Sequence, residues 1–196
     1  MSLDEKSEQL EQLLRTGQSR GYVLYEEIDQ LISPGRSPEM AAELDRILTM
    51  LVMNSVDVVD EPRTEISIPG DTDLDELEQG IVGNSAPVRM YVNEVMTVPR
   101  LTAEQEKTFA QRVRAGGPDA DEAADRLTEA NLWIALATAT HFTNRGLRFL
   151  DLIQEGNIGL MAAVKHYDHF RPYRFLTYAV WWVRRKIIVA IADASG

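Results

Sequence analysis

The sequence contains no cysteine, which excludes disulfide bonds, zinc sites built on thiolates and a cysteine nucleophile. Its longest apolar run, Ile187–Ala192, is far too short to span a bilayer. The first residues include no apolar segment of the kind found in signal peptides. We therefore expect a cytoplasmic protein with no membrane partner.

Catalytic and metal-binding patterns are also scarce. His166 and His169 lie three residues apart near Asp168, which leaves a metal site open as an alternative. Without a further ligand cluster, this spacing favours ordinary surface histidines. No nucleophile elbow, zinc-protease signature or glycine-rich phosphate loop occurs. We expect no enzyme, no metal, no cofactor and no small-molecule substrate.

The chain has fewer basic than acidic residues, and the two types are unevenly distributed along it. The 196 residues carry 20 basic and 31 acidic side chains, a net charge of −11. Residues 1–85 hold 6 basic and 19 acidic residues, whereas residues 86–196 hold 14 and 12. An acidic total argues against simple nucleic-acid binding, but the two halves have different chemistry. Residues 169–192 contain no acid at all.

Apolar periodicity predicts an all-α fold. In the N-terminal part, helices are expected over residues 4–16, over Tyr22–Ile32 and from Ser37 to about Asn54, with a possible short strand at Val56–Val59. These elements would form a small acidic domain over residues 1–60. Residues 61–85 are rich in acids, proline and glycine, which predicts a flexible acidic linker.

The third predicted domain, residues 86–196, reads as helical throughout. One helix begins at Pro87, and Thr102–Gln105 has the sequence of a capping box for the next. A long helix is expected from about Asp119 to His141. Further helices are expected from a capping box at Asp151–Gln154 to about Tyr167, and over Phe175–Ala192.

The helix from Asp151 has two distinct faces. Leu152, Ile153, Leu160 and their helical neighbours form a core face, and Gly156 and Gly159 lie near it, which predicts close helix packing. The opposite face consists of Asp151, Gln154, Glu155, Ile158 and Met161. Apolar residues rimmed by carboxylates indicate an interface with a basic protein, unless another helix of the same domain covers them.

The helix from Phe175 is aromatic and cationic. Seven of the fourteen aromatic residues fall within Tyr167–Trp182, interleaved with or followed by arginines. An aliphatic stripe lies on one side, and Tyr178, Trp181 and Trp182 lie on the other, so we expect that a single core cannot bury both. Aromatic rings among guanidinium groups suit single-stranded nucleic acid, since bases stack on rings while arginine neutralises phosphates. The alternative is a helix buried on two sides.

These segments resemble conserved region two of bacterial sigma factors. The similarity is carried by Asn144–Leu147, by the run from Phe149 to Met161 (FLDLIQEGNIGLM) and by Phe175–Arg184 (FLTYAVWWVR). Pro87–Val95 resembles the preceding region of primary sigma factors, and residues 1–60 resemble their acidic autoinhibitory domain. The resemblance covers nearly the whole chain.

The resemblance implies a transcription initiation factor that binds core RNA polymerase and melts the promoter minus-ten element. Family positions that dock on a coiled coil of the largest polymerase subunit are matched by Leu150, Asp151, Gln154, Glu155, Asn157 and Met161. Positions that melt the element are matched by Tyr173, Phe175, Thr177, Tyr178, Trp181 and Trp182. In the family, Tyr178 and its neighbours hold the flipped adenine of the single-stranded non-template strand, and the two tryptophans act at the upstream fork. Basic or further DNA-contacting positions are matched by Asn131, Arg145, Arg171 and Arg174.

Several residues depart from the family pattern on the DNA side. The family usually has Arg where Trp133 stands, and Gln and Thr where Arg185 and Ile188 stand. Arg185 retains the ability to contact a guanine edge, but Ile188 has no hydrogen-bond donor. Two hypotheses for these departures stay open: altered promoter specificity and a DNA-binding surface that is weakened or deliberately modified. A polymerase-docking module without DNA readout is the alternative function. Because the family continues into further promoter-reading domains, we expect a fragment or a shortened relative.

Overall fold

The computed structural model describes residues 3–32, 37–59 and 86–195. These residues are overwhelmingly helical, which confirms the predicted all-α class. The linker predicted at residues 61–85 lies outside the described residues. By their contacts, the residues divide into two compact units: the N-terminal segment together with Phe170–Tyr178, and the remainder of the chain. No helix in the described part is both long and apolar enough to cross a membrane.

The first unit contains a small parallel ribbon that the sequence analysis predicted only in part. Its elements are α1 (Leu3–Arg20), β1 (Tyr22–Leu24), α2 (Tyr25–Leu31), α3 (Ser37–Met53) and β2 (Asp57–Val59). The two strands pair in parallel with Tyr22 opposite Asp57. The short strand near Val56 was therefore predicted correctly, but the helix predicted from Tyr22 begins only at Tyr25.

The first helix also continues through Gly17, where a break was expected. A Cβ at Gly17 would lie 2.7 Å from methyl groups of both Val23 and Val56, so glycine allows β1 and β2 to approach α1. The helix ends instead before Gly21, whose φ of +83° is a conformation that glycine adopts easily.

The second unit is built from six helices among its described residues. They are α4 (Ala86–Thr97), α5 (Ala103–Ala115), α6 (Ala120–Glu129), α7 (Leu132–Thr140), α8 (Phe149–His166) and most of α9 (Phe175–Ser195). The capping box before α5 is confirmed, since the Thr102 hydroxyl accepts from the Gln105 amide and the Gln105 side chain accepts from the Thr102 amide. The capping box at Asp151 is wrong, because α8 begins two residues earlier with Arg148 at its N-cap position.

The single helix predicted from about Asp119 to His141 is two helices. The chain breaks between α6 and α7 at Ala130 and Asn131, where Asn131 leaves helical geometry with φ −118° and ψ 8°. The Asn131 amide donates a 2.8 Å hydrogen bond to the carbonyl of Leu127, which stabilises the end of α6. An asparagine side chain that competes for backbone groups in this way favours helix ends over helix interiors.

Helices α8 and α9 pack backbone against backbone. A Cβ at Gly159 would lie 2.6 Å from the Trp182 carbonyl oxygen and 2.9 Å from the Val183 Cα. A Cβ at Gly156 would meet only side chains closely, at 3.1 Å from the Ala135 Cβ and 3.3 Å from a Val183 methyl group. The close packing predicted from these two glycines is therefore present.

Both faces of α9 are buried, contrary to the expectation that a single core could not take both. The aliphatic residues Val183 and Ile187 are buried, and so are Tyr178, Trp181 and Trp182. Trp181, Trp182, Val183 and Ile187 all lie in the second unit, which therefore covers both sides of α9 there. The helix is divided between the two units. Its first turn, Phe175–Tyr178, belongs to the N-terminal unit, whereas the residues from Ala179 onwards belong to the other.

Candidate nucleic-acid and polymerase interfaces

The outward side of α8 carries an apolar spot with a polar rim, which we call the α8 surface: Leu150, Asp151, Gln154, Glu155, Ile158 and Met161. Ile158 is 46% exposed and Met161 is 50% exposed, while Leu152 and Leu160 on the inward side are fully buried. The predicted division of the helix into two faces is confirmed, and Ile158 and Met161 are not covered by another helix of the described residues.

The acidic rim is partly paired within the chain. The Arg148 Nε donates to Asp151 Oδ2 at 2.8 Å, and the same contact raises the pKa of the Arg148 guanidinium. Beside this pair lies an open groove of about 490 Å³. It is lined by Leu147, Asp151, Glu155, Lys186, Val189, Ala190, Asp193 and Ala194. The carboxylates of the rim and the adjoining groove are therefore both accessible to a partner.

Asn157 differs from the other residues predicted on this helix to bind polymerase. Its side-chain amide donates a 2.9 Å hydrogen bond to the Tyr91 hydroxyl, and that hydroxyl lies 3.3 Å from Asn157 Oδ1. Burial raises the pKa of Tyr91, which keeps this hydroxyl protonated. The structure thus gives Asn157 a role inside the unit, where it ties α4 to α8.

The residues predicted to capture flipped bases begin in the segment Phe170–Tyr178, which packs within the N-terminal unit. Tyr173, Phe175 and Tyr178 are buried, and the rings of Tyr173 and Tyr178 stack with centroids 6.2 Å apart. Arg174 is exposed, whereas Arg171 and Thr177 are half-buried. The aromatic residues predicted in this segment are therefore buried in this structure, an arrangement that we call closed.

Two residues that the sequence analysis missed hold this segment. The carboxylate of Asp45, on α3, accepts a hydrogen bond from the Tyr173 hydroxyl and forms an ion pair with Arg171 at 3.4 Å. The Tyr25 hydroxyl, on α2, donates to the Thr177 carbonyl at 3.1 Å. Burial, followed by the Asp45 contact, strongly raises the pKa of Tyr173, so its hydroxyl remains a donor.

A sequence signal for Asp45 did exist. The residue is buried on α3 beside the apolar positions Ala41, Leu44 and Leu48, where a charge is costly unless it is paired. An acid on the apolar side of an amphipathic helix therefore indicates a specific cationic or hydroxyl partner.

The tryptophans form a second aromatic cluster inside the other unit. Trp181 and Trp182 meet edge to face at 5.3 Å, and His166 lies 5.4 Å from Trp182. The Arg185 guanidinium lies 5.3 Å from the centre of the Trp181 ring. The Trp181 indole nitrogen is buried and has no hydrogen-bond partner among the described residues. Arg185 and His166 are half-buried, whereas both tryptophans are buried.

The two further residues predicted to contact DNA have different environments. Asn131 is buried, and its side-chain amide donates a hydrogen bond to the Leu127 carbonyl. Arg145 is exposed, and its guanidinium lies 5.0 Å from the centre of the Phe142 ring. Arg184 approaches the same ring at 5.3 Å but is itself buried. Of these residues, only Arg145 presents its charge at the surface.

The metal alternative receives no support from the geometry. No group of three or more metal-ligating side chains occurs within the described ranges. Asp168 lies 3.9 Å from Arg114 in an ion pair, and His166 packs on Trp182. Burial, followed by the charge of Lys165, lowers the pKa of His166.

Comparisons with protein families cover the chain in order. Residues 4–80 match the family model Sigma-70 factor, region 1.1, residues 87–119 match Sigma-70 factor, region 1.2, and residues 127–196 match Sigma-70 region 2. The chain belongs to the sigma-70 family, and the resemblance predicted from the sequence is confirmed.

Curated relatives agree with this family. The chain is 39% identical over 194 residues to the RNA polymerase sigma factor SigA of Clostridium acetobutylicum, an alignment that covers 98% of this chain and 49% of that protein. It is 38% identical over 201 residues to SigA of a Bacillus species, covering 94% of this chain and 51% of the relative. The chain therefore spans about half the length of these relatives.

Proposed function

We propose that this chain acts in transcription initiation as a sigma factor, with no catalytic step of its own, in the bacterial cytoplasm. Its α8 surface would dock on a coiled coil of the largest subunit of core RNA polymerase. Its aromatic residues would then recognise and melt the promoter minus-ten element by capturing bases of the non-template strand. The observation that carries the proposal is the exposed pair Ile158 and Met161 inside a rim of carboxylates, within the most specific family motif.

The docking step follows from the chemistry of the α8 surface. Half-exposed aliphatic side chains gain from burial against a partner, and the rim formed by Asp151 and Glu155 selects a basic one. An aspartate at Ile158 or Met161 would be desolvated on docking. We expect each substitution to weaken binding of the chain to core polymerase about thirtyfold, which corresponds to about 2 kcal/mol.

The control for that experiment is Met53→Asp, because Met53 is 77% exposed and lies on α3, which belongs to the other unit. Binding of each labelled variant to core polymerase would be measured by fluorescence anisotropy. If Ile158→Asp and Met161→Asp bind as tightly as the unmodified chain, or if Met53→Asp weakens binding as much as they do, the proposed docking surface is wrong.

The DNA step rests on the combination of rings and arginines. Stacking on an aromatic ring is worth about 1–3 kcal/mol per base, and exposed Arg174 and half-buried Arg185 can neutralise phosphates beside the rings. With core polymerase present, Tyr178→Ala and Trp181→Ala should each reduce binding of a minus-ten single strand by at least about fivefold. Unchanged binding in both variants would contradict base capture.

The N-terminal region would act as an inhibitor of this DNA surface. Asp45 already occupies Arg171 and Tyr173, and Tyr25 holds the backbone of Thr177. These contacts must be replaced before the same side chains reach nucleic acid. Deleting residues 1–85 should therefore raise DNA binding by the free chain, most strongly at low salt, where the acidic segment repels DNA over a longer range. Equal binding at every salt concentration would contradict this inhibition.

A docking module without DNA readout is the second candidate. It is favoured by the burial of Tyr178, Trp181 and Trp182 and by the exposure of apolar Ile188 on α9. It predicts binding to core polymerase without sequence-dependent binding of a minus-ten single strand. If DNA is read, transcription from promoters varied at the upstream base pair should change with Arg185→Gln plus Ile188→Thr. An unchanged preference would contradict altered specificity.

A further inference from the structure

One thioether lies within the α8 surface. Met161 is 50% exposed, and Ile158, three residues before it on the same helix, is 46% exposed. Side chains three residues apart on a helix are neighbours, so these two form a single apolar spot. Met161 is therefore the one side chain of the α8 surface that both contacts water and carries a group that mild oxidants attack.

The sulfur chemistry of the chain is confined to methionine. The sequence has seven methionines and no cysteine, so no thiol of the same chain competes for an oxidant. Among the described residues, Met53, Met90, Met96 and Met161 are exposed. Met53 lies on α3, and Met90 and Met96 lie on α4. Of these four, Met161 alone belongs to the α8 surface.

We propose that Met161 is an oxidation site through which peroxides weaken docking of the α8 surface. The thioether sulfur attacks one peroxide oxygen, so that a sulfur–oxygen bond forms as the oxygen–oxygen bond breaks. The departing oxygen takes the proton of the transferred hydroxyl and leaves as water. Sulfur loses two electrons and peroxide gains them. Sulfoxide reductases, with a thiol as reductant, return the product to methionine.

The sulfoxide oxygen is a strong acceptor that needs a hydrogen-bond donor. Water supplies that donor in the free chain, because Met161 is half-exposed. Docking would remove the water, and the neighbouring aliphatic side chain of Ile158 has no donor to replace it. Oxidation should therefore act on docking far more than on folding. This site rests on the proposed docking function and adds a modification to it.

The test compares the affinity for core polymerase before and after peroxide treatment of the chain. The chain is oxidised with hydrogen peroxide, freed of it and mixed with untreated core polymerase, and binding is followed by fluorescence anisotropy. Oxidation of the unmodified chain should weaken binding about tenfold. The two sulfoxide reductases, one for each epimer of the sulfoxide, should restore the affinity together with a thiol.

Two variants assign the effect to one methionine. Met161→Leu has no sulfur at this position, so its own affinity should be the same before and after peroxide. Met53→Leu is the matched control, because it removes an exposed sulfur from the other unit. Its affinity should fall on oxidation as much as that of the unmodified chain.

Protection by the partner gives an independent readout. Peptide mass spectrometry during a brief exposure to peroxide measures the initial rate of oxygen addition at each methionine. With core polymerase at about ten times the dissociation constant, about a tenth of the chain is free, so oxidation of Met161 should slow about tenfold. The rate at Met53 should change less.

The outcomes separate this site from the proposed function. If the untreated chain binds core polymerase and keeps its affinity once Met161 is fully oxidised, the oxidation site is wrong while docking stands. Equal losses in the unmodified chain and Met161→Leu would also overturn it, because another methionine would then be responsible. If the untreated chain does not bind core polymerase, the proposed docking fails and the role of Met161 fails with it.

Discussion

The carboxylate of Asp45 offers the sharpest test of inhibition by the N-terminal region. In the described structure it accepts from the Tyr173 hydroxyl and lies 3.4 Å from Arg171. A hydrogen bond to a charged group contributes about 1.5–3 kcal/mol, and a partly exposed ion pair adds about 0–1 kcal/mol. Asp45→Ala should therefore destabilise the closed arrangement by about 2 kcal/mol, which raises the open fraction about thirtyfold while the closed form predominates.

The assay is binding of a minus-ten single strand to the free chain, without polymerase, by fluorescence anisotropy. Asp45→Ala should lower the dissociation constant by about ten- to thirtyfold. Asp45→Asn keeps an acceptor for Tyr173 but removes the charge, so it should give a smaller gain. Tyr25→Phe removes only the hydrogen bond to the Thr177 carbonyl and should lower the dissociation constant about two- to tenfold.

The matched control is Glu39→Gln, which removes one negative charge from an exposed position on the same helix, α3. Thermal unfolding of each variant checks that the N-terminal unit is still folded. The reasoning is refuted if folded Asp45→Ala binds the strand within about twofold of the unmodified chain. It is equally refuted if Glu39→Gln gives the same gain as Asp45→Asn, because net charge alone would then be the cause.

Three further predictions concern stability. Gly159→Ala should destabilise the chain by about 2 kcal/mol in chemical denaturation, because its methyl group would meet the α9 backbone. Gly156→Ala should cost clearly less, because its methyl group would meet side-chain atoms at longer distances, and equal effects would contradict the close packing. Burial lowers the pKa of His166, so on acidification the unfolded chain takes up a proton before the folded chain does. The free energy of unfolding should therefore fall as the pH drops below about 6.5, and His166→Gln should make that fall shallower in denaturation experiments. The same pH dependence in both proteins would contradict this role of His166. Tyr91→Phe and Asn157→Ala should each cost about 1 kcal/mol and couple in a double-mutant cycle, and strict additivity would show that their hydrogen bonds contribute little.

Much of the second unit could be predicted from periodicity and from a few special residues. The two faces of α8 follow directly from the spacing of its apolar residues, and Gly156 and Gly159 indicate the close approach of another helix. The break at Asn131 could not be predicted in this way. The apolar stripe continues across it, while the break depends on a side-chain hydrogen bond that periodicity does not register.

The first unit was harder to predict because each of its two strands pairs with a strand that is distant in the sequence. Tyr22–Leu24 is short and apolar, a pattern that fits a helix as well as a strand, and it pairs with Asp57–Val59 far along the chain. The burial of Trp181 and Tyr178 was only the less favoured alternative for a similar reason. The sequence indicates aromatic chemistry suited to nucleic acid, but which tertiary contacts cover those rings cannot be predicted from the composition of one helix.

The contact at Gly159 has a mechanical consequence. With no side chain between the α8 backbone and the Trp182 carbonyl, little compressible material separates the two helices. The helix that carries Ile158 and Met161 therefore forms a stiff body with the part of α9 that carries the two tryptophans. A force applied to α8 by a docked partner would be transmitted to the indole rings as a displacement, with little loss to side-chain rearrangement in between.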